Sequence, residues 1–289
     1  MQPATLAVIL ARGLGTRMRR ESQDGSADGT GDGRLDTAGT HDLTAPQVRA
    51  AEAGLKGLMP VGRPLLDYVL SALADAGITR AVLVIGPEHG AMRDYVATLA
   101  PRSRVRVTFA TQVEPKGTAD AVLAAREAVG AAASFLVLNS DNYYPAAQIR
   151  LAAALAGNGL VAFDADALVR ESGIEPERVL RYAFVEFDEQ GWLTAILEKP
   201  SPTAAVALRA QRWVSMNLWS FTPRIFEACG RVRASERGEV ELQSAVTIAM
   251  RELGERFRVV TARAGVLDLS SRADIATVTE RLSQIEPRP

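Results

Sequence analysis

The residues with the clearest chemical capacity follow the first apolar run, Thr5–Ala11, in the segment Arg12-Gly13-Leu14-Gly15-Thr16-Arg17-Met18. Glycines so placed let backbone N–H groups approach phosphate oxygens, and a following arginine holds such oxygens bidentately. The plainer reading is a tight strand-to-helix turn whose arginine faces water. Two familiar phosphate motifs are excluded. Met18 stands where a dinucleotide fingerprint needs its third glycine, and no Gly-Lys-Ser/Thr follows. Elsewhere the informative residues stand singly. Asp268 lies between Leu267 and Leu269, and a carboxylate on an apolar strand end requires a partner or an ion. Asp141 has a simpler alternative as a turn cap before Pro145. Lys56 and Lys199 could be solvated lysines, Gln112 a strand end, and Gly117-Thr118 a helix start with threonine as N-cap.

These residues need elements to hold them. Thr5–Ala11, Ala81–Ile85, Val105–Ala110 and Phe135–Leu138 are short apolar runs of strand length. Between them Pro64–Ala76, Glu88–Leu99 and the Ala-rich Thr118–Val129 have helical spacing, with Pro64 opening the first and Gly77 ending it. This alternation predicts a mostly parallel sheet with helices on both faces, whose ligands collect beyond the carboxyl ends of the strands. The second half differs. Tyr182–Asp188 and Trp192–Glu198 flank Glu189-Gln190-Gly191 as a hairpin. Trp213–Phe221, Phe257–Thr261 and Val266–Leu269 read as extended, while Pro223–Cys229, Glu239–Leu253 and Arg272–Gln284 read as helical. The expectation is one domain over 1–289 with a mixed sheet, closed by a C-terminal helix within 270–289.

Composition narrows the function classes. The chain has 289 residues, 33 basic and 34 acidic side chains and a net charge of −1, which argues against a generally basic nucleic-acid binder. One cysteine, Cys229, and two histidines, His41 and His89, exclude a disulfide framework and a multi-cysteine zinc site. Cys229 is expected to pack as a small apolar residue and His89 to lie in a loop. No apolar run reaches the roughly 18 residues of a membrane span, and no signal peptide is evident, so the expected location is cytoplasmic. Residues 21–40 are rich in glycine and aspartate and read as a flexible insert. A calcium loop there fails, because Leu35 stands at the twelfth position, where a glutamate is needed.

Taken together, the motifs acquire a meaning that none has alone. Arg12–Met18 resembles the signature loop of the sugar-phosphate nucleotidyltransferases, or NDP-sugar pyrophosphorylases. Leu55-Lys56-Gly57-Leu58-Met59-Pro60-Val61-Gly62-Arg63-Pro64 resembles that family's Pro-Lys-x-Leu-Leu-Pro-Val-x-x-x-Pro segment, and Gln112–Ala121 its base-recognition segment. Asp141-Asn142, Glu198-Lys199-Pro200, Asn217 and Leu267-Asp268 follow in the family's order, so the resemblance covers nearly the whole chain.

The resemblance implies a Rossmann-like three-layer α/β fold and a definite reaction. A sugar 1-phosphate oxygen attacks the α-phosphorus of a nucleoside triphosphate, giving an NDP-sugar and pyrophosphate. It implies Arg17 and Lys56 as catalytic groups, the first on the leaving pyrophosphate and the second against the α-phosphate. It places Ala11, Gly13, Gly15, Thr16, Gln112, Gly117 and Thr118 around the nucleotide, and Glu198, Lys199, Asn217 and Ala183 around the sugar phosphate. Asp141 and Asp268 would share Mg²⁺. The expected partners are a nucleoside triphosphate and a sugar 1-phosphate, with no nucleic acid and no membrane; a homo-oligomer is left open. UTP or dTTP is favoured, with ATP or GTP as rivals. A non-catalytic sensor of the same fold is disfavoured by the intact charged set, and a dinucleotide-binding oxidoreductase by the missing third glycine. Two departures bear on the site. Arg12 replaces a usual glycine, which directs a cation toward phosphates or sugar, and Ala183 replaces a glycine whose backbone approaches the sugar.

Overall fold

The computed structural model describes residues 2–13, 18, 43–197, 213–235 and 238–289. Its strands are β1 (Leu6–Leu10), β2 (Pro60–Val61), β3 (Arg63–Pro64), β4 (Arg80–Ile85), β5 (Arg106–Thr111), β6 (Phe135–Asn139), β7 (Asn142–Tyr143), β8 (Gly159–Asp164), β9 (Ala183–Phe187), β10 (Leu193–Leu197), β11 (Trp213–Phe221), β12 (Arg258–Ala262) and β13 (Leu267–Asp268). The central sheet runs β10-β9-β11-β6-β1-β4-β5, with β8 joining β11 to β12. β1, β4, β5 and β6 are mutually parallel, and β11 runs antiparallel to β6, β8 and β9. The fold is therefore a Rossmann-like α/β sandwich with a mixed, mostly parallel sheet.

Side-chain alternation builds the two outer layers. Along β4, Leu83 and Ile85 join Ile9, Leu136 and Leu138 in one core, while Val82 and Val84 join Val8 and Val137 in the other. The helix Leu65–Asp75 covers the first face, burying Leu65, Leu66, Val69, Leu70 and Leu73 at the spacing that predicts it. On the other face Thr118–Ala124 packs beside Ile225–Arg231 and Leu242–Glu252. Cys229 lies in this second core, and burial pushes its thiol pKa up to about 12. Among the described residues no helix is long and apolar enough to cross a membrane.

Several elements differ from the sequence reading. The helix read over Thr118–Val129 is two, Thr118–Ala124 and Arg126–Val129, because Ala125 bonds back to Val122 at 3.0 Å and tightens the turn. Four elements between Pro145 and Tyr182 had no sequence prediction: helices Ala146–Ala154, Ala165–Ser172 and Pro176–Val179, and the buried β8. His89 lies in the loop between β4 and the helix Gly90–Leu99, as expected, but it is buried there, and its Nδ1 accepts the Gly86 N–H at 3.4 Å. The insert 21–40 lies outside the described residues.

β11 is the strand on which the site turns. One edge follows β8; the other pairs with β9 at Val214 and Ser215, then with β6 from Trp219 onward. The register shifts between Ser215 and Trp219, and Asn217 inside that bulge has a φ of 59°. Asparagine is among the few residues that accept this left-handed conformation at small cost. The short pair β7–β13 lies apart from the main sheet, and it sets Asp268 opposite Asn142.

Candidate active site

The carboxyl ends of β1, β4, β5 and β6 carry the residues singled out by type. Asp141 follows β6 in the turn to β7. The 3₁₀ turn Lys56–Leu58 presents Lys56, whose Nζ donates to Asp141 Oδ2 at 2.8 Å. The two side chains are 85 positions apart in sequence, and both are mostly shielded. Asp268 arrives by main-chain pairing: β13 runs antiparallel to β7, and the Leu269 N–H donates to the Asp141 carbonyl at 2.8 Å. Backbone hydrogen bonds thus place both aspartates at one corner of the sheet.

Asp268 is 8% exposed and well supplied with donors. Its Oδ2 forms an ion pair with Arg178 and accepts the Tyr182 hydroxyl at 2.8 Å. Ser270 Oγ donates to Oδ1 at 2.9 Å. Arg178 also pairs with Asp274 at 2.5 Å, and Asp274 in turn accepts the N–H groups of Ser270 and Ser271. Burial by itself would lower the Arg178 pKa, but Asp268, Tyr182 and Asp274 more than reverse that and raise it. Burial and the Asp268 charge both raise the Tyr182 pKa, so its hydroxyl stays a donor at neutral pH. The partner that the Asp268 carboxylate requires is therefore a protein cation.

A second group surrounds Gln112, just past the end of β5 and 2% exposed. Its Nε2 donates to the Gly117 carbonyl at 3.0 Å and to Asp120 Oδ2 at 2.8 Å. Both partners only accept, so the orientation of the amide is fixed by chemistry. Oε1 is left buried and, among the described residues, without a hydrogen-bond partner. Gly117, not Thr118, precedes the helix, with a φ of 132°. A Cβ there would fall 2.5 Å from the Val240 carbonyl oxygen, so only glycine allows this docking. Thr118 Oγ1 accepts the Leu242 N–H at 2.9 Å at the start of the helix Leu242–Glu252. Its hydroxyl therefore serves a helix 124 positions away.

Asn217 shows the same fixing of an amide. Trp219 Nε1, which can only donate, points at Asn217 Oδ1 at 3.4 Å, and Gln243 Nε2 donates to the same oxygen at 3.1 Å. The oxygen is thus committed inward, and Nδ2 is the group available to a ligand. Met216 beside it accepts the Tyr144 hydroxyl at 2.5 Å, which ties the bulge to the segment carrying Asp141. Ala183 is buried at the start of β9 opposite Ser215, next to Tyr182.

The predicted residues are brought together unevenly. Lys56 meets Asp141 in an ion pair, and the β7–β13 pair sets the Asp268 backbone beside Asp141-Asn142. Ala11 and Gln112 stand at neighbouring strand ends, with Gly117 and Thr118 at the start of the helix that follows. Ala11 donates its N–H to the Val84 carbonyl at 2.9 Å, and Gly13 is exposed with open space where a Cβ would stand. Gly15, Thr16, Arg17, Glu198 and Lys199 lie outside the described residues. Arg12, expected to direct a cation toward phosphates or sugar, has its guanidinium on protein acceptors: it binds both oxygens of Glu88 at 3.1 and 3.2 Å and the Gln112 carbonyl. Sequence reasoning missed Glu88, Asp120, Arg178, Tyr182 and Gln243. Only Asp120 and Tyr182 lay inside or beside a recognised motif.

A mostly parallel sheet thus carries a lysine–aspartate pair and a second aspartate beyond its strand ends, where the ligands of such sheets collect. Comparison with known proteins gives the class. The family model for nucleotidyl transferases matches residues 53–282, and the chain belongs to that family. It is 25% identical over 279 residues to the UTP–glucose-1-phosphate uridylyltransferase AglF of Haloferax volcanii, covering 96% of each chain. It is 28% identical over 196 residues to a glucose-1-phosphate thymidylyltransferase of Xanthomonas campestris pv. campestris, covering 65% of this chain and 59% of that enzyme. Several other curated relatives are spanned over only about half of their length. A solved UDP-glucose pyrophosphorylase with UDP-glucose bound superposes with a TM-score of 0.69 at 16% identity, covering 98% of this chain and all of that one. The chain is thus an enzyme of the sugar-1-phosphate nucleotidyltransferase class, whose members generally work with a divalent metal ion.

Proposed function

We propose that this enzyme transfers a uridylyl or thymidylyl group from UTP or dTTP to a sugar 1-phosphate, with Mg²⁺ as the metal. The observation that carries the nucleotide assignment is Gln112. Its amide presents a single unpaired acceptor, Oε1, in a buried setting. A buried acceptor favours a ligand N–H, since leaving it unpaired costs about 1–3 kcal/mol. The N3–H of a uracil or thymine imide meets that need. An adenine amino group also donates, so ATP is the rival to be tested. The names of AglF and of the thymidylyltransferase support the pyrimidine reading.

The donor set suits Mg²⁺. Among the described residues no group of three or more His, Cys, Asp or Glu side chains converges. Asp141 and Asp268 would hold the ion through carboxylate oxygens, Asp141 giving up Lys56 to do so, and substrate phosphates and water would supply the other ligands, the usual habit of this hard cation. When bound, the ion would neutralise phosphate charge at the reacting centre.

The chain's own residues align and neutralise. Lys56, held against Asp141, stands ready to exchange that partner for an α-phosphate oxygen, where charge builds in the transition state. Tyr182, Ser270 and Arg178 hold Asp268 in one orientation. Asn217 presents Nδ2 to a sugar oxygen. Arg17 on the leaving pyrophosphate, and Glu198 and Lys199 on the sugar phosphate, keep the roles that the family resemblance implies. The single buried cysteine and the need for a nucleoside triphosphate fit the cytoplasm.

The test is pyrophosphate release from UTP, dTTP, ATP and GTP against a panel of sugar 1-phosphates with Mg²⁺. Turnover confined to UTP or dTTP is expected. Preference for ATP would overturn the reading of Gln112, and loss of neither activity nor Mg²⁺ dependence in Asp141→Asn would overturn the two-carboxylate site.

A further inference from the structure

Arg12 occupies a position where a glycine would do for a phosphate loop, and its side chain is spent elsewhere. It leaves β1 and runs sideways along the carboxyl edge of the sheet, only 9% exposed. Nε and Nη2 donate to the two oxygens of Glu88, which follows β4, while Nη1 donates to the main-chain carbonyl of Gln112, which follows β5. One guanidinium therefore ties together the ends of three adjacent strands. The planar fork of arginine makes such a bridge; a lysine or a neutral residue could not hold two carboxylate oxygens and a carbonyl together.

The partner is shaped for this contact. Glu88 folds its carboxylate back over Gly86, where a Cβ would fall 2.3 Å from Oε1. Its pKa is lowered first by a hydrogen bond to its own backbone; burial opposes this, and Arg12 adds to the lowering. Gln112 is in turn held from every side. Its N–H donates to the Ile85 carbonyl at 2.9 Å, its Nε2 is shared by Gly117 and Asp120, and its carbonyl takes Arg12. Oε1 alone has no hydrogen-bond partner among the described residues.

We infer that Arg12, braced by Glu88, is a positioning residue for nucleobase recognition through Gln112 and not a phosphate ligand. The inference rests on the proposed role of Gln112. A guanidinium already neutralised by a carboxylate offers a triphosphate little net charge. Its hold on the Gln112 main chain fixes where Oε1 stands, and selectivity among bases depends on that placement.

The two roles predict opposite signs for one substitution. In a brace, Arg12→Gly and Glu88→Gln both loosen Gln112. Each should raise KM for the preferred nucleoside triphosphate, by about tenfold for Arg12→Gly, and lower the preference over the other three nucleotides, with KM for the sugar 1-phosphate unchanged. The double variant should resemble Arg12→Gly alone, because the partners act as a unit. If Arg12 were a phosphate ligand, Glu88→Gln would free the cation and lower the nucleotide KM. That result overturns the inference, and so does unchanged selectivity in Arg12→Gly. Arg12→Lys, which keeps the charge and loses the fork, should behave like Arg12→Gly; wild-type behaviour would also refute the brace. Calorimetric titration of each variant with the nucleotide alone provides a readout without turnover. A wild-type protein that binds none of the four nucleotides defeats the functional reading itself, whereas wild-type binding matched by both variants defeats only the brace.

Discussion

Replacing Arg178 with leucine probes how the Asp268 corner is stabilised. The change keeps much of the side-chain volume and removes the cation from a carboxylate that is 8% exposed. Losing one partner of a fully buried ion pair costs about 3–5 kcal/mol. Here the Arg178 side chain is 16% exposed, and Tyr182 and Ser270 still donate to Asp268. Both facts shrink the penalty, to roughly 2–3 kcal/mol. For a chain of this size each kcal/mol moves Tm by about 2–4 °C, so Arg178→Leu should melt roughly 5 °C or more below wild type. The cause is specific, and so is the remedy. If an uncompensated carboxylate is the source, adding Asp268→Asn to Arg178→Leu should recover part of the loss. Mg²⁺ should likewise stabilise Arg178→Leu more than it stabilises wild type, because an added cation replaces the missing one. Thermal unfolding followed by circular dichroism, with and without Mg²⁺, measures all three. An unchanged Tm, or a double variant less stable than the single one, would refute this account of the corner.

The same geometry bears on individual residues of the site. Lys56→Ala should lower kcat far more than it raises either KM, since its proposed partner gains charge in the transition state; steady-state kinetics with both substrates decides this. Gln243→Glu turns an acceptor toward Asn217 Oδ1, so the Asn217 amide is pushed to flip against Trp219. KM for the sugar 1-phosphate should rise several-fold with the nucleotide KM unchanged, and an unaltered sugar KM would remove Gln243 from the site. Gly117→Ala forces a methyl group against the Val240 carbonyl at a φ of 132°. It should cost about 2 kcal/mol or more, read as a lower denaturant midpoint. At pH 8 Cys229 should resist alkylation in the folded enzyme, because its pKa of about 12 leaves almost no thiolate. Mass spectrometry showing rapid modification without unfolding would contradict that burial.

The local sequence determined a good deal of this molecule. Apolar runs of strand length and the leucine spacing of 65–73 are short-range signals, and the strands and helices they predict form where expected because each buries one face against the sheet. The order of motifs along the chain determined the class of enzyme, since Lys56, Asp141 and Asp268 sit in segments whose identity does not depend on folding. Where the periodic contrast was weak, the sequence was mute. Ala146–Ala154 is mostly alanine and shows little difference between its faces, so its helix is recognisable only from the strand it covers.

What only the tertiary structure decided is which side chain neutralises which. Arg178 and Asp268 are 90 positions apart, and Arg12 and Gln112 are 100 apart. No local pattern says which group either arginine will bind. Their pairing follows from strand order: β1, β4 and β5 are neighbours in the sheet, and β13 pairs with β7 beside Asp141. A charge near a sheet corner takes the nearest opposite charge that the backbone brings within reach, because burial makes an unpaired ion costly. Residue types and their order along the chain therefore announced the chemistry, while the long-range register of the strands chose the partners that orient it.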